Sequence, residues 1–248
     1  MAIITIANQK GGVGKTTTAV HLGHGLALKG HHVLIVDLDP QGHVATALGM
    51  NPEGGTFYLL VTPPSPLVKQ WVRMSGRDGL DIVPGDATTN TAQVVLNAEN
   101  RPLDAVARVL SIFSEYDYII LDTAPSVGGI QERAIWAADG LIIPTATDFL
   151  AVDGVAKVME ILPRLQEHGW RGEVLGILPT FYDSQTRESR ANLAALRENF
   201  PDLTFSPIHR ATVLRECAAE GLTVYEHAPR SRAAQEYQAL VDFVLRWR

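Results

Sequence analysis

Short, continuous apolar runs alternate along the chain with longer stretches in which apolar residues recur every three or four positions. The runs fall at residues 2–7, 33–38, 80–83, 118–121, 141–143 and 174–178. Most are apolar at successive positions, the pattern of strands covered on both faces. Helical spacing predicts helices at about 15–29, 103–113, 130–137, 152–168, 187–199 and 231–246. This alternation predicts an α/β fold, a doubly wound and mainly parallel sheet flanked by helices. Ligands on such a sheet bind beyond the carboxyl ends of the strands. Residues 51–66, which include Thr62-Pro-Pro-Ser-Pro66, read as a surface loop. The last helix carries Tyr237, Leu240, Val241 and Val244 at i, i+3, i+4 and i+7, a core-packing stripe. The alternative is a membrane-surface helix closing on Trp247 between Arg246 and Arg248, which Glu236 and Asp242 oppose.

Composition narrows the picture. With 248 residues and 46% apolar content the chain suffices for one large core, so one α/β domain is expected rather than two. No run of 18 uncharged apolar residues predicts a membrane span. The N-terminus reads as a strand, so secretion is not expected. The single cysteine, Cys217, excludes a disulfide framework and suits a reducing cytosol. Net charge is −6, unequally distributed: residues 1–150 hold 9 Lys+Arg against 14 Asp+Glu, and residues 151–248 hold 12 against 13. Nearly all the cations of the second part are arginines, the type suited to phosphate contacts.

The segment Lys10-Gly-Gly-Val-Gly-Lys-Thr-Thr17 lies between the first strand and the first helix. Glycine-freed backbone N–H groups and a helix N-terminus together make a phosphate cradle. The usual formula G-x-x-x-x-G-K-[ST] is broken here, because Gln9 stands where its first glycine belongs and a second lysine, Lys10, opens the loop. Lys15 is expected on the β- and γ-phosphates and the Thr16 hydroxyl on Mg²⁺. Lys10 cannot easily reach the same phosphates from its own side of the loop.

Two carboxylates at i and i+2, Asp37 and Asp39, end the second strand. Asp37 reads either as a helix cap or as a group facing the phosphates. Asp39, before Pro40 as a helix-opening residue, is the candidate for placing the attacking water near the metal. The run Tyr118-Ile-Ile-Leu-Asp122 has the Walker-B form and predicts an Mg²⁺-associated carboxylate. The small residues after it, Thr123–Ser126 and Gly128-Gly129, would let that loop respond to the γ-phosphate. Arg187 and Arg190 lie one helical step apart, Arg210 and Arg215 bracket the next turn and helix, and Arg230 and Arg232 open the last one. Such arginines form either a solvated face or a surface for sequence-independent contact with a phosphate backbone. His21 and His24 share a helix face, but no third ligand has metal-site spacing. Cys217 reads as a packed residue.

With these segments in this order the chain resembles the ParA-type partition ATPases of the deviant Walker-A class over almost its whole length. Asn8–Thr18 is similar to that family's signature loop, Asp37–Gly42 to its switch I, and Ile120–Ser126 to its Walker B with switch II. Thr180-Phe-Tyr-Asp183 and Tyr225–Arg232 resemble its later landmarks. The resemblance implies an ATP hydrolase using ATP and Mg²⁺, cradled by Lys10, Gly11, Gly12, Val13, Gly14, Lys15, Thr16 and Thr17 together with Asp122. Thr16, Asp39 and Asp122 would serve the metal, and Lys10, Lys15 and Asp39 the chemistry. It further implies an ATP-state homodimer in which Lys10 reaches the partner's phosphates, and non-specific DNA binding, here assigned to Arg187, Arg190, Arg210 and Arg215. A ParB-like or cargo-adaptor activator, a cytoplasmic, nucleoid-associated location and no membrane contact complete the expectation. No N-terminal helix-turn-helix domain is expected, which disfavours a sequence-specific regulator. A MinD-like membrane-associated ATPase is the alternative. A nitrogenase-iron-protein type would need two cluster cysteines. Departures are present as well: the family commonly reads Ile-Pro-Arg-Asn-Val-Arg-Leu where this chain has Ile208-His-Arg-Ala-Thr-Val-Leu214, and Asn where His21 and His43 stand.

Overall fold

A computed structural model describes residues 1–126 and 129–248. Seven strands, β1 (Ala2–Ile6), β2 (Val33–Leu38), β3 (Arg73–Arg77), β4 (Leu80–Val83), β5 (Tyr118–Thr123), β6 (Gly140–Ala146) and β7 (Glu173–Thr180), form one sheet. Its order is β3-β4-β2-β5-β1-β6-β7. All pairings are parallel except β3 with β4. The six apolar runs are the six parallel strands, and their uniform hydrophobicity hides a simple alternation. Ala2, Ile4 and Ile6 of β1 face the layer built on the helices Lys15–Ala27 and Arg232–Trp247, whereas Ile3 faces the other side. In β2, Val33 and Ile35 take the first face and Leu34, Val36 and Leu38 the second. Both faces are therefore core, as a doubly wound sheet requires.

The stripe Tyr237, Leu240, Val241 and Val244 is buried against this first face, with no member more than 4% exposed. The helix predicted over 152–168 is two helices, Ala151–Met159 and Leu162–Glu167. Pro163 opens the second, because it lacks the N–H that a continuous helix would need. Residues 51–66 are not simply a loop, since Thr56–Val61 is helical and buries Thr56, Leu59 and Leu60. The helix at 103–113 is shorter, Ala105–Leu110. Pro40 does not open a helix: it sits in a turn closed by the Gly42 N–H on the Asp39 carbonyl (3.1 Å), and the helix begins at His43. The Gly128 part of the mobile-loop expectation lies outside the described residues. No helix is long and apolar enough to cross a membrane among the described residues.

Candidate functional site: a phosphate cradle with an adjoining cavity

The order of the sheet places the carboxyl ends of β1, β2 and β5 side by side, and the loop 8–14 leaves β1 at that point. Asn8 is fully buried and fixes the start of the loop. Its amide nitrogen donates to the Pro144 carbonyl (2.8 Å) and its oxygen accepts the Lys10 N–H (2.9 Å). Gly12 and Gly14 adopt φ of 71° and 85°, a region that side chains with a Cβ enter only with strain. Val13 is buried, Gly11 and Gly12 are exposed, and Thr180 Oγ1 ties the loop to β7 by donating to the Val13 carbonyl (2.9 Å). The helix Lys15–Ala27 then begins with no side-chain cap, so its first N–H groups and their dipole are left for an anion.

Lys15 arches back over the loop, and its Nζ donates to the Lys10 carbonyl (3.1 Å). Burial lowers its pKa, against which Asp122 and Asp39 act as raising charges. Thr16 Oγ1 donates to Asp122 Oδ2 (2.6 Å). Asp122 is fully buried, and its other oxygen, Oδ1, has no hydrogen-bond partner. Burial pushes this carboxyl up to about 7. A buried acceptor left orphaned beside a threonine hydroxyl is what a hydrated Mg²⁺ would complete. Among the described residues no three His, Cys, Asp or Glu side chains gather to hold a metal by themselves. Mg²⁺ would accordingly draw its remaining ligands from phosphate and water, its usual habit. The residues therefore fit magnesium on a bound triphosphate.

Asp37 pairs in register with Asp122 across β2 and β5. It is fully buried and accepts the N–H groups of Asp39 (3.0 Å) and Val44 (3.1 Å). Burial, followed by the neighbouring Asp122 charge, raises its pKa well above the carboxylate range. Of the two readings for Asp37, the structure gives it the capping role: it holds the turn that carries Asp39. Asp39 accepts the Gln41 N–H (2.9 Å) and is buried, only 8% exposed. Lys10 is turned elsewhere. Its Nζ pairs with both oxygens of Asp148 (2.6 and 2.5 Å), on the loop following β6.

The sequence singled out several of the remaining segments but gave no sign that they meet in one cavity. A cavity of about 280 Å³ opens beside Gly14 and Thr17. Thr180 and Phe181 line it together with Ile208–Ala211, Leu214 and Tyr237. Phe181 holds a left-handed φ of 52°, a strained conformation for a non-glycine residue and one that clusters at functional sites. Arg210 and Arg215 line this cavity, whereas Arg187 and Arg190 lie on the helix Arg187–Asn199. The four arginines thus form two pairs. Arg190 donates to the Ser184 and Gln185 carbonyls (2.7 and 3.1 Å), and Arg187, Arg210 and Arg215 are exposed. The histidines are accounted for by packing: His21 bonds the Thr17 carbonyl through Nδ1 (2.7 Å) and accepts the Val224 N–H at Nε2 (3.1 Å), and His24 bonds Thr223 Oγ1 (2.7 Å). Cys217 is fully buried.

Residues 1–173 match the family model described as an AAA domain. The chromosome-partitioning ATPase Soj of Thermus thermophilus is 36% identical over 244 residues, 98% of this chain and 94% of that protein. The structure of Cyanothece McdA in complex with ATP superposes with a TM-score of 0.89 at 26% identity, covering 98% of this chain and 96% of that one. Cobyrinic acid a,c-diamide synthase from Mycobacterium smegmatis, with bound ATP analog and magnesium, gives 0.83 at 28% identity over 99% and 95%. With the signature loop, both carboxylate strands and this full-length likeness in hand, the chain belongs to the ParA/Soj-type P-loop ATPases.

Proposed function

We propose that this Mg–ATP hydrolase is a positioning ATPase which pairs with a second copy of itself in the ATP state and, as a pair, binds DNA without sequence preference. The observation that carries the reading is the division of labour between two lysines. Lys15 already folds over its own cradle, while Lys10, anchored at its backbone to Asn8, carries its charge outward to Asp148. A cation so placed is free to exchange its carboxylate partner for the phosphates of a neighbouring subunit, where it would stabilise charge developing on the transferred phosphoryl group. In this reading the triphosphate lies along residues 10–17, the base enters the 280 Å³ cavity, and Asp39 orients the attacking water. Thr16 and Asp122 hold the metal, which offsets phosphate charge when bound.

Arg187 with Arg190, and Arg210 with Arg215, are the proposed DNA contacts. A ParB-like or cargo-adaptor protein would accelerate release, and the expected location is the nucleoid. The MinD-like alternative loses its main support, because the apolar face of the last helix is spent on the core. Sedimentation of Lys10→Ala with Mg–ATP tests the pairing, with Asp39→Ala as the slow-turnover reference. The variant should bind ATP and remain a monomer, and a dimer of wild-type affinity overturns the trans role. Arg187→Glu should weaken binding to unrelated duplexes by the same factor and flatten the salt dependence.

A further inference from the structure

We infer that His209 is a positioning residue for the nucleotide base, acting through Glu236 of the last helix. The inference rests on the reading that the base occupies the 280 Å³ cavity, of which Ile208–Ala211 form a wall. That wall stands outside the sheet edge. Phe205 and Ile208 donate to the Ile177 and Pro179 carbonyls (2.9 and 2.8 Å), Tyr182 donates to Ile208 (3.1 Å), and Arg210 donates to Tyr182 (2.9 Å). These bonds tie the segment to β7 and to the Phe181 turn. On the opposite side the hold comes from one carboxylate.

Glu236 Oε2 accepts the His209 N–H (2.8 Å), and Oε1 accepts from His209 Nδ1 (2.7 Å). Oε1 also accepts from Arg232 Nε (2.7 Å), while Arg232 Nη2 lies 2.6 Å from His209 Nε2. A guanidinium can only donate, so Nε2 must be the acceptor. Nδ1 is the ring nitrogen directed at Glu236. The His209 ring also stands edge-on to Tyr182 (4.8 Å), next to the strained Phe181. Glu236 and His209 side chains are only 16% and 15% exposed, where a hydrogen bond fixes geometry more firmly than at the surface. One residue thus anchors the wall through backbone and ring together. It touches no phosphate-binding group, so it should affect base recognition alone.

The probes that separate these functions are Mg–ATP and Mg–tripolyphosphate, which shares the phosphates and lacks the base. In His209→Phe, which keeps a ring against Tyr182, and in Glu236→Ala, the Kd for ATP should rise roughly 5- to 10-fold, the worth of a partly buried hydrogen-bonded anchor. Tripolyphosphate binding should stay unchanged. KM for ATP should rise by the same factor with kcat preserved, and the double variant should be no weaker than either single one. Should Glu236→Ala fail to fold, Glu236→Gln, which keeps one acceptor, should give an intermediate loss. Equal losses for both probes, or an ATP affinity within twofold of wild type, overturn the inference. Leu214→Trp, which fills the cavity, tests the underlying reading separately. If it abolishes the preference for ATP over tripolyphosphate while the His209 and Glu236 variants keep it, the base lies in the cavity and the positioning role is wrong. If it leaves the preference intact, the base is elsewhere and both ideas fall.

Discussion

The phosphate cradle and the cavity proposed for the base are built by opposite strategies. The cradle is a run of consecutive residues, 10–17, whose backbone presents the binding groups and whose shape is set by two left-handed glycines. The cavity beside it is collected from four distant segments, contributing Gly14 and Thr17, Thr180 and Phe181, residues 208–215, and Tyr237. The cradle sits on β1, hydrogen-bonded on both sides, while the cavity leans on β7 at the border of the sheet. A contiguous motif tolerates drift elsewhere in the chain, whereas an assembled wall depends on side-chain anchors such as Glu236. In the proposed reading, chemistry common to nucleoside triphosphates falls in the contiguous part, and recognition of the base in the assembled part.

Replacing Lys15 should break the contrast most severely. Lys15→Ala should weaken ATP and tripolyphosphate alike by roughly a thousandfold, the loss of several charge-assisted contacts of about 1.5–3 kcal/mol each, measured by equilibrium dialysis. Next, Asp39→Ala should leave nucleotide affinity intact and lower turnover by about a hundredfold, the lower range for a residue that assists proton transfer from water. Steady-state phosphate release together with ATP binding reads both numbers.

His21 probes the junction between the two, because it bonds the Thr17 carbonyl in the first turn of the Lys15–Ala27 helix and its ring stacks on Tyr237 (4.7 Å). Burial lowers its pKa from 6.5 to about 4. The folded pKa is below the unfolded one, so the unfolded chain takes up the proton first. The stability that His21 contributes is complete above pH 6.5 and is lost as pH falls towards 4. The loss is at most about 3.5 kcal/mol at 1.36 kcal/mol per unit. His21→Asn should remove this acid-dependent component, seen as a flatter plot of Tm against pH between those limits. The smallest effect is expected for Gly14→Ala. An added Cβ would meet only ordinary contacts with Thr180 and Phe181 (3.6 and 3.8 Å). The φ of 85° should nonetheless cost about 1–2 kcal/mol, lowering Tm and weakening both probes together because Gly14 belongs to both ends.

The same division explains how much the sequence reveals. The cradle, Asp39 and Asp122 are legible because each motif is local and follows a strand whose apolar run is unmistakable. Strand β3 is not, because Arg73-Met-Ser-Gly-Arg77 has neither apolar alternation nor β-propensity, and its pairing with β4 alone defines it. The helix Thr88–Ala98 is also hidden, since its polar, threonine-rich sequence buries only Thr89, Ala92 and Leu96. The cavity beside Gly14 is only partly legible: Thr180–Phe181 and residues 208–215 are noticeable as segments, but their meeting in one pocket is not. Tyr237 reads as one member of a core stripe, and only the folded chain shows it lining the cavity with Thr17. Asp37 is an intermediate case: strand-end carboxylates are readable as a pair, but which one caps and which one faces outward depends on where the turn at Pro40 carries the chain.

The placement of β7 has one further consequence. With β6 on one side and short pairings at Thr204 and His209 on the other, this border of the sheet should open locally more readily than the central strands. Amide protons there should exchange with solvent well before those of β1 and β5. If the base occupies the cavity as proposed, such an opening would loosen the nucleoside before the phosphates.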